Sequence, residues 1–207
     1  LHSFPTRRSS DLAMVLFLNI ICTVPSHASD TDDFDAEYYA NAYPDVRAVI
    51  GSKPIDLYCH YLNFGMNEGR YKNAAEEATG VASCSIDTYV DVDIANQTMT
   101  YYKDGEVVLS SSCVTGNPNT GNSTPKGSFV LRTKIPGKYL VGPTWNVWVD
   151  RWMKFTGNVG LHDAGWRSKF GGNIYKSDGS HGCVNLPTET AYELYDMIDV
   201  GTAVIVH

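Results

Sequence analysis

The sequence predicts a mostly β domain preceded by a small α-helical module. Between residues 30 and 71 the apolar and aromatic residues recur at helical spacing. From residue 89 onward, runs rich in β-branched and aromatic residues are separated by turn-forming Asn, Asp and Gly. A chain of 207 residues is long enough for one full domain and one smaller module.

The composition indicates a folded protein without a nucleic-acid partner. Hydrophobic residues make up 43% of the chain and charged residues 19%, which excludes an intrinsically disordered protein. The 16 lysines and arginines are outnumbered by 23 acids, giving a formal net charge of -7. Because phosphate backbones are bound by clusters of basic residues, this charge argues against binding to DNA or RNA. No motif in the sequence indicates a cofactor.

The N-terminus is typical of an export signal. Residues 1–12 (LHSFPTRRSSDL) resemble the translation of a sequencing adapter and are excluded from the fold prediction. Residues 13–24 form an apolar run of signal-peptide length that is too short to span a membrane. Small residues precede the expected cleavage site after Ala28, so we predict residues 1–28 as adapter-derived residues plus a signal peptide. The alternative, an uncleaved anchor helix, is disfavoured by Pro25.

The cysteines have different settings. Cys22 lies in the predicted signal peptide, and export would place the other cysteines in an oxidising compartment. Cys59, Cys84 and Cys113 could then supply one disulfide, in one of three pairings that the sequence does not rank. Cys183 lies two residues after His181 and directly after Gly182.

Residues 29–72 are predicted to form the small helical module. Pro44 and Pro54 suit the first turn of a helix, where a missing amide costs nothing, and Gly51 and Gly65 suit helix ends. The elements Y-Y-x-x-x-Y-P-D-V and H-Y-x-x-x-G-x-x-E-G-R resemble a repeat found in bacterial surface and exported proteins. If the second domain acts at the cell wall after export, this module would contact the wall or another surface partner.

A linker and a β domain follow. Residues 73–83 (NAAEEATGVAS) are small and polar, which predicts a linker before a domain at residues 84–207. Asp104 and Gly105 are a strong signal for a tight hairpin turn. The predicted strands lie at residues 89–94, 97–102, 106–113, 128–133, 139–141, 145–151 and 203–207.

One helix is predicted near the C-terminus, at residues 187–198 (PTETAYELYDMI). Thr190 and Glu193 have the spacing of an N-terminal capping box, and the apolar residues fall on one face. Gly201 would end the helical region before the last strand.

The hexapeptide SHGCVN at residues 180–185 carries the clearest chemical signal, and it begins directly after the turn-forming pair Asp178 and Gly179. A free thiol has a pKa of about 8.5 and is scarcely ionised at neutral pH. A catalytic cysteine therefore needs an adjacent imidazole or oriented amides, and Cys183 has candidates for both.

Two histidines of the second domain are candidate partners for Cys183. His181 would share a face with the sulfur on an extended strand, or would clamp a neighbouring loop. His162 comes from a separate segment, GLHDA, and can approach the sulfur from across the site, so we predict His162 as the general base. The successive amides of Gly182 and Cys183 would form an oxyanion hole.

Two other roles are compatible with these residue types. A lone cysteine is more often a small buried hydrophobic residue, with nearby histidines satisfying backbone groups. A zinc site from His162, Asp163, His181 and Cys183 is the rival chemistry, but the ligand spacing matches no common zinc pattern. The combination of a glycine turn, histidines and a cysteine favours nucleophilic catalysis over both.

At these residues the sequence resembles the catalytic domain of L,D-transpeptidases, the YkuD-like family of bacterial cell-wall enzymes. The family pattern places a histidine before S/T-H-G-C-x-N, as His162 precedes residues 180–185 here. Similar segments extend over nearly all of residues 84–207, namely VDIANQTMTYYKDG, VTG, TPKG, GLHDA, FGG and GTAVIV. The resemblance implies a β-sandwich-like fold with one C-terminal helix.

The resemblance also implies roles for the site residues. Cys183 would be the nucleophile and His162 the base, with the imidazole oriented by the backbone carbonyl of Asp163. The loop that forms the oxyanion site would consist of Ser180, His181, Gly182 and Cys183. By family position Trp166 and Asn185 would border the substrate, and Met153 would either border it or pack beside it.

The implied reaction is acyl transfer on peptidoglycan stem peptides by an exported enzyme, at the cell wall, outside the cell or in the periplasm. Cys183 would attack the diaminoacyl carbonyl of a donor tetrapeptide, release D-Ala and form a thioester acyl-enzyme. The amine of an acceptor stem would then form the cross-link. With water as the acceptor, the enzyme would be an L,D-carboxypeptidase.

Other functions fit the sequence less well. A sortase-like transpeptidase needs an arginine after the cysteine, and residues 184–207 contain none. A papain-like peptidase places its cysteine before its histidine, the reverse of the order here, although His207 follows Cys183. A non-catalytic wall-binding protein would not need both His162 and Cys183.

Overall fold

The structure is a computed structural model that describes residues 33–83 and 85–207. The predicted signal peptide, its cleavage after Ala28, and the cysteines Cys22 and Cys84 lie outside the described residues. Within the described part of the chain, no helix is both long and apolar enough to cross a membrane.

Short helices form the N-terminal module, as predicted. Their bounds are α1 Ala36–Ala42, α2 Pro44–Ile50, α3 Pro54–His60 and a π-helical turn, Tyr61–Gly65, that continues α3. Pro44 and Pro54 open α2 and α3, and Gly51 ends α2 with a φ of 81°, which confirms the predicted boundaries. Tyr39 and Leu57 are 0% exposed and form the centre of this module.

The residues that define the surface-protein repeat hold one another. Arg70 of the E-G-R element donates two hydrogen bonds to the carboxylate of Asp45 in Y-P-D-V, at 2.9 and 3.2 Å. Its guanidinium lies 4.7 Å from the centre of the Tyr43 ring, whose hydroxyl accepts the amide proton of Tyr71 at 2.7 Å. The bond from Arg70 holds the pKa of Asp45 below its usual value. The two elements of the repeat motif therefore bind each other within the module.

The segment predicted as a linker, residues 73–83, contains a helix, α4 Ala74–Thr79. Asn73 caps this helix by accepting the amide proton of Glu76 at 2.9 Å, and Gly80 ends it in the left-handed region with a φ of 70°. Small residues that resemble a linker also fit a short helix, because alanine has the highest intrinsic helix propensity.

The second domain has two main sheets, and the mostly β fold class is confirmed. One sheet has the strand order β3-β2-β1-β11-β4, the other has the order β10-β9-β8-β5, and β6 with β7 forms a separate hairpin. Apolar residues from both main sheets form one core together with the C-terminal helix. The strands and helices are β1 Tyr89–Asp93, β2 Thr98–Lys103, β3 Glu106–Ser112, β4 Gly127–Val130, β5 Thr133–Ile135, β6 Lys138–Val141, β7 Asn146–Val149, β8 Trp152–Thr156, β9 Val159–Asp163, α5 Ile174–Asp178, β10 Val184–Leu186, α6 Thr188–Met197 and β11 Ala203–Val206.

The hairpin prediction is confirmed. Asp104 and Gly105 have φ values of 52° and 79°, and they connect the paired ends of β2 and β3. Residues 128–133, predicted as one strand, are instead divided between β4 and β5. The division occurs where the backbone changes sheets, since the amide of Leu131 bonds to Thr202 and that of Arg132 bonds to Lys154.

The predicted capping box of the last helix is wrong. The helix α6 begins at Thr188, within the predicted range, and Pro187, with a φ of -53°, stands at the N-cap position in place of Thr190. Thr190 therefore lies inside the first turn, and its hydroxyl donates to the hydroxyl of Ser111 at 3.2 Å. Gly201 lies in the turn before β11 with a φ of 106°.

The helical module covers the free edge of the five-stranded sheet. Edge strands leave backbone carbonyls unpaired, and Asn63 donates to the carbonyl of Ser128 on the edge strand β4 at 2.8 Å. Arg132 and Asp56 form an ion pair at 2.9 Å between the two parts. Val130 of β4 also belongs to the same buried cluster as the core of the module. The module and the β domain thus share a core.

Among the described residues, Cys59, Cys113 and Cys183 are free thiols. Cys59 is half-buried beside the carbonyl of Ser128, and Cys113 is 0% exposed in the core of the β domain. Burial raises the pKa of Cys113 to about 12. A disulfide between Cys59 and Cys113 is therefore not formed, and the pairings with Cys84 lie outside the described residues.

Because the core is shared, we predict that Leu57→Ala destabilises the whole chain by about 2–5 kcal/mol. Leu57 is 0% exposed, so its truncation leaves a cavity in the shared cluster. Thermal unfolding followed by circular dichroism should show one transition with a lowered midpoint. Val49→Ala, at a residue that is 84% exposed, is the matched control and should leave the midpoint unchanged. Two separate transitions, with only one moved by Leu57→Ala, would contradict a shared core.

Candidate active site

Neighbouring strands place His162 at the centre of the site. His162 lies on β9, opposite Trp152 of β8 in the antiparallel pairing and opposite Asn185 of β10 in the parallel pairing. The centre of its ring lies 5.8 Å from the centre of the Trp152 ring, and the residue is 2% exposed. The imidazole is therefore enclosed by side chains from both adjacent strands.

Both ring nitrogens of His162 have hydrogen-bond partners. Nδ1 lies 2.7 Å from the backbone oxygen of Asp163, and Nε2 lies 3.0 Å from Nδ2 of Asn185. The carboxylate of Asp163 instead accepts the backbone amide proton of Arg151 at 2.7 Å. Burial lowers the pKa of His162 below its usual value, and the charge of Arg167 acts in the same direction. The imidazole is therefore neutral at neutral pH.

Cys183 ends a tight loop that leads into β10. Gly182 has a φ of 119°, a conformation that favours glycine. Because this turn interrupts the extended backbone, His181 and Cys183 do not share a strand face, which excludes the first of the two alternatives for His181. The Sγ atom of Cys183 lies 3.8 Å from the backbone oxygen of Asn158. Burial raises the pKa of the Cys183 thiol to about 11, so the thiol is protonated at neutral pH.

Two hydroxyl groups hold this loop. Ser180 Oγ accepts the amide proton of Gly182 at 3.0 Å and donates to the carbonyl of Cys183. Thr124, which is 3% exposed, donates to the carbonyl of Gly182 at 2.8 Å and accepts the amide proton of Gly116 at 2.9 Å. The amide of Gly182 is therefore already bonded, and the prediction that it serves an oxyanion hole does not hold in this structure.

A cleft of about 300 Å³ brings most of the predicted site residues together. The β6–β7 hairpin forms one side of it and contributes Trp145, whose ring centre lies 5.1 Å from that of His181. This contact corresponds to the loop-clamp alternative for His181. The predicted residues that line the cleft are His162, Trp166, Ser180, His181, Cys183 and Asn185.

Met153, predicted to border the substrate, is placed elsewhere. It is 0% exposed and belongs to the core between the sheets. Successive side chains of a strand point to opposite faces, so the residue after Trp152 on β8 faces away from His162. The prediction that Met153 contacts the substrate is therefore wrong.

Arg167 is a cleft residue that the sequence did not indicate. Its side chain is only 8% exposed, and it lines the cleft beside His162. Nε donates to Oδ1 of Asn185 at 2.9 Å, and Nη1 donates to the carboxylate of Asp178 at 3.0 Å. Its position directly after Trp166, a predicted cleft residue, is the only sequence signal that could have found it.

The zinc alternative finds no ligand set in the part of the chain that the structure describes. There, no group of three or more His, Cys, Asp and Glu side chains is arranged to hold a metal ion. His162, the best placed of the proposed ligands, already bonds to protein atoms through both nitrogens.

Comparison with known proteins identifies the β domain. The family pattern described as L,D-transpeptidase catalytic domain (YkuD) matches residues 87–206. A search of curated protein sequences finds no match.

Solved structures of L,D-transpeptidases are similar to this chain. A mutant of the Enterococcus faecium L,D-transpeptidase is 38% identical with a TM-score of 0.58, covering 61% of this chain and 52% of that chain. The catalytic domain of the E. faecium enzyme acylated by ertapenem is 37% identical with a TM-score of 0.53, covering 59% and 98%. The L,D-transpeptidase from Mycobacterium smegmatis is 29% identical with a TM-score of 0.51, covering 58% of each chain. This chain thus spans about half the length of the first of these relatives.

Because the Thr124 hydroxyl bonds to the loop before β10, we predict that Thr124→Val destabilises the protein by about 1–3 kcal/mol. Valine keeps the shape of threonine but leaves the buried amide of Gly116 and the carbonyl of Gly182 without a partner. Urea unfolding measures the loss. Thr124→Ser, which keeps the hydroxyl, is the control and should lose less stability. Equal losses in the two variants would show that the hydroxyl does not hold the loop.

Proposed function

The chain belongs to the YkuD family of L,D-transpeptidases, and from this premise we propose that it is a cysteine acyltransferase that cross-links peptidoglycan stem peptides. The observation that carries the proposal is the pairing of a buried, neutral His162 with Cys183 on one cleft. In the similar E. faecium catalytic domain, the enzyme is acylated by ertapenem. An acyl-enzyme is the intermediate that a nucleophilic Cys183 would form here.

The first step forms the acyl-enzyme. The sulfur of Cys183 attacks the carbonyl carbon of the diaminoacyl residue in a donor tetrapeptide, and the thiol proton passes to Nε2 of His162. When the carbon–nitrogen bond breaks, His162 returns this proton to the departing amine of D-Ala. The product is a thioester on Cys183 and free D-Ala. The thiol and the imidazole both begin neutral, so proton transfer accompanies the attack.

The second step transfers the acyl group to an acceptor. The side-chain amine of a neighbouring stem peptide attacks the thioester, and its proton passes through His162 to the departing sulfur of Cys183. The backbone amide of Cys183 is the donor that the loop retains for the developing oxyanion, since the amide of Gly182 bonds to Ser180. The proposed product is a cross-link between two diaminoacyl residues.

Hydrolysis of the same thioester is the second candidate reaction. Trp166, at the cleft beside His162, is 51% exposed, so water has access to the cleft at this residue. An enzyme that uses water in this step is an L,D-carboxypeptidase. Export to the wall and wall contact through the helical module stay predictions from the sequence.

We predict that ertapenem acylates the protein only through Cys183, which intact-protein mass spectrometry detects as an added mass. Cys183→Ala should give no adduct. His162→Ala should acylate about 10²–10⁴-fold more slowly, because a protonated thiol is a poor nucleophile without its base. Cys59→Ala removes another half-buried thiol and should react like the parent protein. An adduct on the Cys183→Ala variant would refute the assignment of the nucleophile.

The pH dependence of this acylation tests the state of His162. The pKa of His162 is lowered from its usual value of 6.5 by burial, which outweighs the opposing hydrogen bond and charge of Asp163. A base whose pKa is lowered stays neutral, and therefore active, to more acidic pH. We expect the second-order rate of acylation to be level through pH 6.5 and to fall only below it. A fall that is centred above pH 6.5 would contradict a buried, neutral base.

A further inference from the structure

A chain of hydrogen bonds connects Arg167, Asn185, His162 and the backbone of Asp163, and the donor and acceptor of each bond are fixed. Arg167 donates from Nε to Oδ1 of Asn185 at 2.9 Å, and Nδ2 of Asn185 lies 3.0 Å from Nε2 of His162. Nδ1 of His162 lies 2.7 Å from the backbone oxygen of Asp163. A guanidinium can only donate and a backbone carbonyl can only accept. The two ends of the chain therefore determine the direction of each bond between them.

The guanidinium determines how the Asn185 amide is turned. The oxygen and nitrogen of an amide have similar shapes, so the orientation follows from the partners. Arg167 offers no acceptor, and an amide nitrogen facing it would set donor against donor. Asn185 must therefore turn Oδ1 toward Arg167 and an N–H of Nδ2 toward His162. The imidazole receives a donor at Nε2.

The orientation of Asn185 in turn selects the protonation state of His162. Nε2 faces an N–H and must accept, so it carries the lone pair, while Nδ1 carries the proton and donates to Asp163. We propose that Arg167 is a positioning residue that acts through Asn185 to hold His162 as the neutral Nδ1–H tautomer. In this tautomer the lone pair lies on Nε2, where it accepts the N–H of Asn185, and the thiol proton takes the place of that hydrogen bond when it is transferred.

The placement of Arg167 supports a role beyond its ion pair. Its side chain is 8% exposed, whereas its partner Asp178 is 82% exposed and lies at the rim of the cleft. Burial of a guanidinium is costly, and an ion pair alone would form equally well at the surface. The bond from Nε toward Asn185 is the contact that requires the buried position.

Few other charged or titratable groups face His162. Asp163 on the same strand favours the charged imidazole, and Arg167 opposes it. The strands β8 and β10 present Trp152 and Asn185, and neither of these side chains titrates. The helix α6, which packs on β9, places Ala191 and Leu194 in the core. Cys183, His181 and Asp178 also line the same cleft.

The tautomer has a consequence for the reaction, and this part rests on the proposed function. When Nε2 receives the proton of Cys183, its new N–H faces the N–H of Asn185, and the hydrogen bond between them is lost. Arg167 prevents the amide from turning to offer its oxygen. The imidazolium is therefore short-lived and returns its proton readily to the departing amine. No stable thiolate–imidazolium pair should accumulate in the free enzyme.

Nuclear magnetic resonance of the protein with ¹⁵N-labelled histidine tests the tautomer directly. The His162 signals are assigned by their loss in His162→Gln. We expect the Nε2 shift of an unprotonated nitrogen and the Nδ1 shift of a protonated nitrogen. In Arg167→Met the amide is free to turn, so the Nε2–H tautomer should appear and the pKa of His162 should rise by about 1 pH unit, the scale of one hydrogen bond.

Arg132→Met is the matched control. It makes the same change of side chain and charge at the ion pair with Asp56, where the module meets the β domain. A general loss of stability would affect both variants, whereas only Arg167→Met should change the His162 tautomer and pKa. A tautomer and pKa that are unchanged in Arg167→Met would overturn the proposal.

Two further measurements keep the proposal open to refutation if Arg167→Met does not fold. An Nε2–H tautomer in the parent protein would overturn it without any variant. Asn185→Asp replaces the N–H with an acceptor, and we expect it to move the proton to Nε2 and to raise the pKa of His162.

Ertapenem acylation separates the two proposals. Acylation with an Nε2–H tautomer would refute only the role of Arg167, and the Nδ1–H tautomer without acylation would refute only the function.

Discussion

The parallel pairing of β9 with β10 is the constraint on which the site depends. This register sets His162 beside Asn185, and the preceding pair, Leu161 with Val184, lies within the core and is 0% exposed. A slip of one residue would turn the buried apolar side chains away from the core. The burial of Leu161 and Val184 therefore holds His162 next to the side-chain amide of Asn185. Catalytic geometry here is a product of core packing.

A second set of contacts places Cys183 relative to that pair of strands. The loop before β10 needs a positive φ at Gly182, and hydroxyl groups of Ser180 and Thr124 hold it on two sides. Gly116 passes so close that an added Cβ would lie 2.8 Å from the Cα atom of Gly182. Thr124 of the TPKG segment and Gly116 of the VTG segment thus hold the loop that carries Cys183.

The helical module belongs to the same physical unit. The residues of its repeat motif bind one another, since Arg70 bonds to Asp45. Asn63 of the module also bonds to the edge strand β4. A contact between the module and the wall would therefore be held in a fixed direction relative to the cleft. Removal of the module would expose the shared core around Val130, so its role is best separated by changes on its surface.

The sequence was informative where a local rule decides the structure. Proline at a helix start, Asp104 with Gly105 in a hairpin and the cysteine within SHGCVN are read from neighbouring residues alone. Prediction failed where distant segments meet. The strands β8 to β10 were not predicted, because they are covered on both faces and lack a clear alternation. Arg167 acquires its role only through a chain of bonds between three segments of the fold.

The reaction of the whole chain with disaccharide-tetrapeptide muropeptides tests the central claim most directly. Mass spectrometry of the products, beside a Cys183→Ala control, separates the outcomes. The account predicts a dimer that has lost one D-Ala and that forms only when Cys183 is present. Loss of D-Ala without a dimer would contradict transpeptidation and identify a carboxypeptidase. Unchanged muropeptides, in a protein that ertapenem acylates, would contradict the proposed donor.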